Sequence, residues 1–347
     1  MRMTQKALLI AGLGLLTVGA QAQQRGIELY FVDTEGGAAT LIVTPQKESI
    51  LIDDGNPGTR DAGRIASAAK LAGLKQIDHL IITHWHLDHY GGTEALAKLI
   101  PIKHFYDRGI PDADKSDDPQ NFPTLIAAYK AASNNKSNRL SPGDLVPLIR
   151  ADKKGLPIQL KCLCARTEVL TKTTLADYPA DANAKPIDDG DNAKSLGFLL
   201  SFGKFRFIDL GDLTWNIEYK LSSPACSPGP VDVYQSTHHG LDISNNPALV
   251  NRLKPIVAIY NNGPYKGGHP DLTKTLRALP SLQAIWQLHK NLKPGEDVNA
   301  LPEFIANVEA TESCKGNFVH LSVAPDSLSY TVQVGASGKK RTYKTRQ

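Results

Sequence analysis

The stretch Thr83-His84-Trp85-His86-Leu87-Asp88-His89 constrains this 347-residue chain more than any other. It places three imidazoles and one carboxylate directly after the apolar run Leu80-Ile81-Ile82 and just before Gly91-Gly92. Neutral imidazole and carboxylate are the donors that zinc and similar divalent ions take. On a helix, two histidine ligands would stand four positions apart on one face, which this spacing does not provide. It suits a loop leaving the end of a buried strand, where alternate side chains turn inward. Such a loop can serve two adjacent ions, with His84 and His86 on one and Asp88 and His89 on the other.

The rest of the chain supplies further donors at comparable places. Gly211-Asp212 follows the apolar run Phe205 to Leu210, His238-His239-Gly240 follows Val231 to Gln235, and Gly268-His269-Pro270 lies past Ile256 to Tyr260. Strand ends along one edge of a layered α/β fold converge on one crevice. A carboxylate at Asp212 can bridge two ions, while the His-His-Gly turn and His269 can each complete one coordination sphere. The single histidines His79, His104, His289 and His320 stand among apolar residues and read as core or surface positions.

Alternating apolar runs predict a three-strand meander over Ile27 to Ile52, a helix over Asp61 to Leu74 and a strand over Asp78 to Thr83. A helix over Thr93 to Leu99 and a strand from Ile102 to Phe105 come next. The polar stretch 107–155 then reads as a surface insertion carrying one helix, Thr124 to Ala132. Arg108, at its start, offers a guanidinium for an anionic substrate group, with a structural salt bridge as the competing role. After residue 155 strands resume and then alternate with helices, and no low-complexity linker divides the halves. The pattern gives one α/β domain, 23–337, with two packed sheets and outer helices. The basic residues after 338 form a solvated, frayed tail.

Composition narrows the setting. Arg2 and Lys6, the apolar run Ala7 to Gly19 and Ala20-Gln21-Ala22 have the layout of a secretory signal peptide over 1–22, too short for a comfortable membrane span. Removing it places the mature chain in the periplasm or outside the cell, without a membrane span. The formal charge of +4, less Arg2 and Lys6, leaves +2, which argues against a dedicated nucleic-acid binder and for a small-molecule substrate. In an exported protein the four cysteines are disulfide candidates. Cys162 and Cys164 are too close to pair with each other, which leaves Cys226 or Cys314 as a partner for one of them. No C-x-x-C spacing suggests a metal site.

Thr83-His84-Trp85-His86-Leu87-Asp88-His89-Tyr90-Gly91-Gly92 resembles the signature of the metallo-β-lactamase superfamily. Ile52-Asp53-Asp54-Gly55 is similar to its first motif, whose aspartate braces the metal loop, and Gly211-Asp212 to its bridging aspartate. Asn192-x-x-Ser195, His238-His239-Gly240 and Gly268-His269-Pro270 are most similar to the metal domain of the DNA-uptake competence proteins, and the phosphorylcholine esterases share much of that order. The usual histidine between the first loop and the bridging aspartate has no counterpart, so its role falls to the His-His-Gly turn. The competence proteins' channel segments are also absent.

The resemblance implies an αββα sandwich holding two divalent ions, zinc first with manganese or iron as alternatives. Its metal ligands would be His84, His86, Asp88, His89, Asp212, His239 and His269. Two ions about 3.5–4 Å apart acidify a shared water and polarise a substrate oxygen. Asp88 and Asp212 would orient that water. His238 would bind a phosphate oxygen or protonate the leaving group. Asn192, Ser195, Asn261 and Tyr265 would contact substrate or support the ligands. The activity implied is hydrolysis of a phosphodiester or related small ester. A β-lactam or lactone hydrolase and a non-catalytic metal-binding protein are the alternatives.

Overall fold

The computed structural model describes residues 25–148, 155–170, 185–223, 227–293, 298–309 and 314–347. The segment 1–22, expected to be a signal peptide, and Cys226 lie outside these.

The first sheet starts as the meander: β1 (Glu28–Phe31), β2 (Thr40–Val43) and β3 (Ser49–Ile52) pair antiparallel in sequence order. Helix α1 (Thr59–Leu71) then crosses over to β4 (Ile77–Ile81), which pairs parallel to β3. The short α2 (Leu87–Tyr90) and α3 (Thr93–Leu99) lead to β5 (Ile102–Asp107), parallel to β4. Helix α4 (Phe122–Ala132) crosses to β6 (Ser137–Arg139), parallel to β5. The stretch after Asp107 is therefore a further β-α-β crossover and not a surface insertion. Its helix buries Phe122, Ile126 and Tyr129, and Tyr129 donates its hydroxyl to Asp107 Oδ2 at 2.9 Å.

The second sheet holds β7 (Ile158–Ala165), β8 (Glu168–Val169), β9 (Gly197–Phe202) and β10 (Phe205–Asp209). After α5 (Trp215–Ser222) come β11 (Val233–Gln235), α6 (Pro247–Leu253), β12 (Val257–Tyr260), α7 (Pro270–Arg277), β13 (Ala284–His289) and β14 (Ile305–Asn307). From β10 to β14 the pairing is parallel, as short helical crossovers require. The chain then returns to the first sheet as β15 (Val319–Val323), β16 (Ser329–Val334) and β17 (Arg341–Lys344).

β17 corrects the expectation of a frayed tail. It pairs antiparallel with β16, buries Tyr343 against Tyr330, and lets Tyr343 accept from Trp286 Nε1 at 3.1 Å. Tyr343 is the only buried residue of the strand, so the basic residues around it hid the pattern.

Three apolar clusters define the layers. Phe31, Ile52, Phe198, Phe207, Ile259 and Leu321 belong to the seam between the sheets. Ile65, Leu80, Leu96 and Tyr129 join the first sheet to α1, α3 and α4. Ile208, Ile217, Val250, Tyr260 and Leu276 join the second sheet to α5, α6 and α7. The result is an αββα sandwich, and the parallel strands of both sheets deliver their C-terminal ends to one edge.

The free thiols among the described residues are Cys162, Cys164 and Cys314. Cys162 and Cys164 are buried on β7, so the bridge considered to Cys314 is not formed. No described helix is long and apolar enough to cross a membrane.

Candidate metal centre

Asp53 organises the first loop. It ends β3 in a left-handed conformation, φ 60°, and is buried. Its Oδ1 accepts from Thr83 N at 2.7 Å, and its Oδ2 from Thr83 Oγ1 at 2.8 Å and His89 Nδ1 at 2.7 Å. A carboxylate can only accept, so His89 donates from Nδ1 and turns Nε2 inward. The loop alternates as the spacing predicts. Trp85 drops into the helical layer, edge-on to Tyr90 and Tyr129, and donates Nε1–H to Gly109 O at 3.0 Å. His84 and His86 face each other instead, with His84 Nε2 3.1 Å from His86 Nδ1. Asp88 and His89, however, sit on the single turn α2 and not in an extended loop.

Across the seam, Gly211 turns β10 sharply at φ 55°, and any Cβ there would lie 3.0 Å from the Thr83 side chain. That close approach places Asp212 against the first loop, with its backbone N–H held by Ser195 Oγ at 3.3 Å. Asp212 Oδ2 lies 3.2 Å from His89 Nε2, 3.3 Å from His239 Nε2, 3.4 Å from His238 Nε2 and 3.9 Å from His84 Nε2. Asp88 Oδ2 lies 3.4 Å from His239 Nε2 and 3.6 Å from His89 Nε2.

The His-His-Gly turn achieves this with strained backbone. His238 and His239 both adopt left-handed conformations, φ 53° and 56°, a cost that consecutive β-carbon-bearing residues rarely carry. The turn splays the two rings, whose centroids stand 6.0 Å apart. His239 Nδ1 donates to Asn261 O at 3.3 Å, leaving Nε2 for the centre. His238 Nδ1 faces Ser244 Oγ at 3.1 Å, and its Nε2 faces Asn192 Nδ2 at 3.5 Å.

The electrostatics match cation binding. Burial raises the Asp212 carboxyl, yet the imidazoles of His238, His239 and His89 outweigh it and hold the group well below the usual range. Asp88 is likewise held low against burial, by His89, His239 and Lys266. Burial, reinforced by His89, keeps His84 neutral. For His89 burial is overcome by the carboxylates of Asp212, Asp88 and Asp53, which raise it well above its ordinary value. His89 Nε2, His239 Nε2 and Asp212 Oδ1 are buried without a hydrogen-bond partner among the described residues. The approaches of the two Nε2 atoms to Asp212 Oδ2 thus lack hydrogen-bond geometry. Buried polar atoms are seldom left unpaired, and a divalent cation would satisfy these three. His84, His89 and Asp212 form one compact donor group, and Asp88, His89 and His239 another. The donor set fits two neighbouring ions.

Residues 32–157 match the family model of the metallo-β-lactamase superfamily. Within those residues the chain matches a metallo-β-lactamase superfamily domain. It is 38% identical over 65 residues to an atrochrysone carboxyl ACP thioesterase of Cryptosporiopsis sp. (strain 8999), a match covering 19% of this chain and 20% of that protein. The chain thus spans about a fifth of that curated relative. Among solved structures it is similar to a proposed metal-dependent hydrolase of Parabacteroides distasonis, at 15% identity, TM-score 0.42, 76% of this chain and 93% of that one. It is also similar to CmlA, a diiron β-hydroxylase from Streptomyces venezuelae, at 15% identity, TM-score 0.42, 74% of this chain and 51% of that one.

Several expected site residues stand elsewhere in the structure. His269 does not join the donor groups. It caps α7, with Nδ1 accepting from Asp271 N at 3.3 Å and a side chain 37% exposed. Arg108 is not open to substrate either. Its buried guanidinium pairs with Asp191, whose other oxygen accepts from Trp85 N at 2.6 Å, so it braces the metal loop. Ser195 is fully buried and supports Asp212, while Asn261 orients His239. Asn192 lies beside His238, and Tyr265 is exposed.

Sequence reasoning missed two residues. Asp191 gave no signal because its partners are distant in the chain. Lys266 places Nζ 2.5 Å from Asp88 Oδ2, and a lysine between Tyr265 and two glycines carries no recognisable pattern.

Proposed function

We propose that the chain is a metal-dependent hydrolase of a phosphodiester or related small ester, working with two divalent ions, zinc first. The observation that carries this reading is the convergence of buried, unpartnered His89 Nε2, His239 Nε2 and Asp212 Oδ1 at one strand-end edge. We assign His84, His86, His238 and Asp212 to one ion, and Asp88, His89, His239 and Asp212 to the other. The ions, when bound, supply Lewis acidity that polarises a substrate oxygen and acidifies water.

The chain's own groups do the rest. Asp53 and Asn261 O hold Nδ1 of His89 and His239 as donors, so Nε2 of each ring faces the centre. Asp88 and Asp212, held ionised, can accept a hydrogen bond from an attacking water and orient it. Burial, with the neighbouring His239 in support, pushes His238 down to about 4 against the pull of Asp212. His238 is therefore neutral, suited to be a ligand or a proton acceptor and not the leaving-group acid.

Export as a periplasmic or secreted protein follows from the segment 1–22. Amino-terminal sequencing of the mature protein should begin at Gln23. The activity is tested on metal-loaded protein with bis-p-nitrophenyl phosphate, nitrocefin and an acyl thioester, the last because the matched relative is a thioesterase. Turnover of the phosphodiester supports the reading, and turnover of nitrocefin alone overturns the substrate choice. Full metal loading without turnover of any of them would indicate a binding protein.

A further inference from the structure

We propose that Lys266 is the anion-binding residue of this centre, taking an anionic oxygen of the substrate, phosphoryl or carboxylate; this rests on the two-ion reading above. Its Nζ lies 2.5 Å from Asp88 Oδ2, with the side chain 40% exposed. That carboxylate is its only hydrogen-bond or ion-pair partner among the described residues. The neighbouring cations are committed. Arg108 is buried on Asp191, Arg60 holds Glu35 and Asp61, and Arg64 holds Asp33 and Glu35.

The lysine is also fixed in place at its base. Lys266 O accepts from Gly263 N at 2.9 Å. Its Cβ and Cδ pack over Gly36, where any added Cβ would lie 3.1 and 3.3 Å from them; Gly36 itself has φ 101°. The loop after β1 thus packs closely against the base of the lysine.

Asp88 Oδ2 is shared between this ammonium and the donor group of His89 and His239. A divalent cation seated in that group would stand within a few ångströms of Nζ and repel it. The ammonium would then yield Asp88 and, tethered by its backbone, stay beside the centre. The nearby carboxylates cannot receive it, because Glu35 is held by Arg60 and Arg64 and Asp242 by Lys185. A cation left without a protein partner beside the reacting oxygen is a recognition element for an anionic substrate.

Metal-loaded wild type, Lys266→Met and Lys266→Arg would be titrated calorimetrically with inorganic phosphate and with acetate, after elemental analysis of each. All three should hold the same metal stoichiometry. Lys266→Met should weaken phosphate binding about tenfold, and Lys266→Arg should retain most of it. The anion that shows the larger loss identifies the group recognised. Equal affinity of wild type and Lys266→Met, no anion binding by metal-loaded wild type, or loss of metal on substitution would each overturn the proposal. Lysine-dependent phosphate binding without turnover of any ester would leave this inference standing and remove the hydrolase reading.

Discussion

Asp53 Oδ2 and His89 Nδ1 lie 2.7 Å apart, and this contact decides which nitrogen of His89 faces the metal centre. An amide in place of the carboxylate can offer an N–H to Nδ1 and turn the tautomer round, which puts the proton on Nε2. Asp53→Asn should therefore lower metal affinity about 10- to 100-fold. Competition with a chromophoric chelator measures it, and unchanged affinity would mean that the tautomer is set elsewhere.

The pH dependence of metal binding follows from the same histidine. Asp212, Asp88 and Asp53 raise His89 well above its ordinary value against the effect of burial, so in the metal-free protein it is protonated at neutral pH. An ion that takes Nε2 must displace that proton. Affinity should fall as pH falls below the raised value, by about one decade per pH unit for this proton. Calorimetry in buffers of different ionisation enthalpy should show about one proton released per centre from this group.

Arg108 should behave as a structural residue. Its removal leaves Asp191 buried and unpaired beneath Trp85. Arg108→Met should destabilise the fold by about 3–5 kcal/mol. Chemical denaturation reads this, and a variant of wild-type stability with a selectively raised KM would restore Arg108 to the substrate.

His269→Ala should keep full metal stoichiometry and cost at most about 1 kcal/mol as a lost helix cap. Elemental analysis of the purified variant decides, and loss of one ion would return His269 to the ligands.

The sequence showed the first loop because its donors are contiguous and follow a strongly apolar strand. The meander and α3 were legible for a related reason, since each apolar face is set by neighbours in the chain. Errors arose where a residue's partner was remote or where two local meanings overlapped. Gly268-His269-Pro270 resembles a ligand at a strand exit, yet histidine followed by proline and aspartate is also a helix start, and here the cap prevails. Arg108 could not be assigned without Asp191, and Lys266 could not be found without the fold that carries it to Asp88. The polar stretch after Asp107 hid a crossover because α4 buries only Phe122, Ile126 and Tyr129.

Asp212 gives the sharpest test of the centre as a whole. Its Oδ2 approaches imidazoles from both halves of the chain, and its Oδ1 is buried without a partner. Asp212→Asn keeps the volume but removes the charge that both ions would share. It should therefore abolish turnover and reduce bound metal, whereas His86→Ala should remove the ion on its own side first. Because His238, His239 and His89 hold Asp212 ionised against burial, the amide should lower Tm of the metal-free protein at neutral pH. Metal content by elemental analysis, read beside Tm with and without chelator, separates these effects. Full stoichiometry in the double variant Asp212→Asn/His86→Ala would show that the ions sit elsewhere.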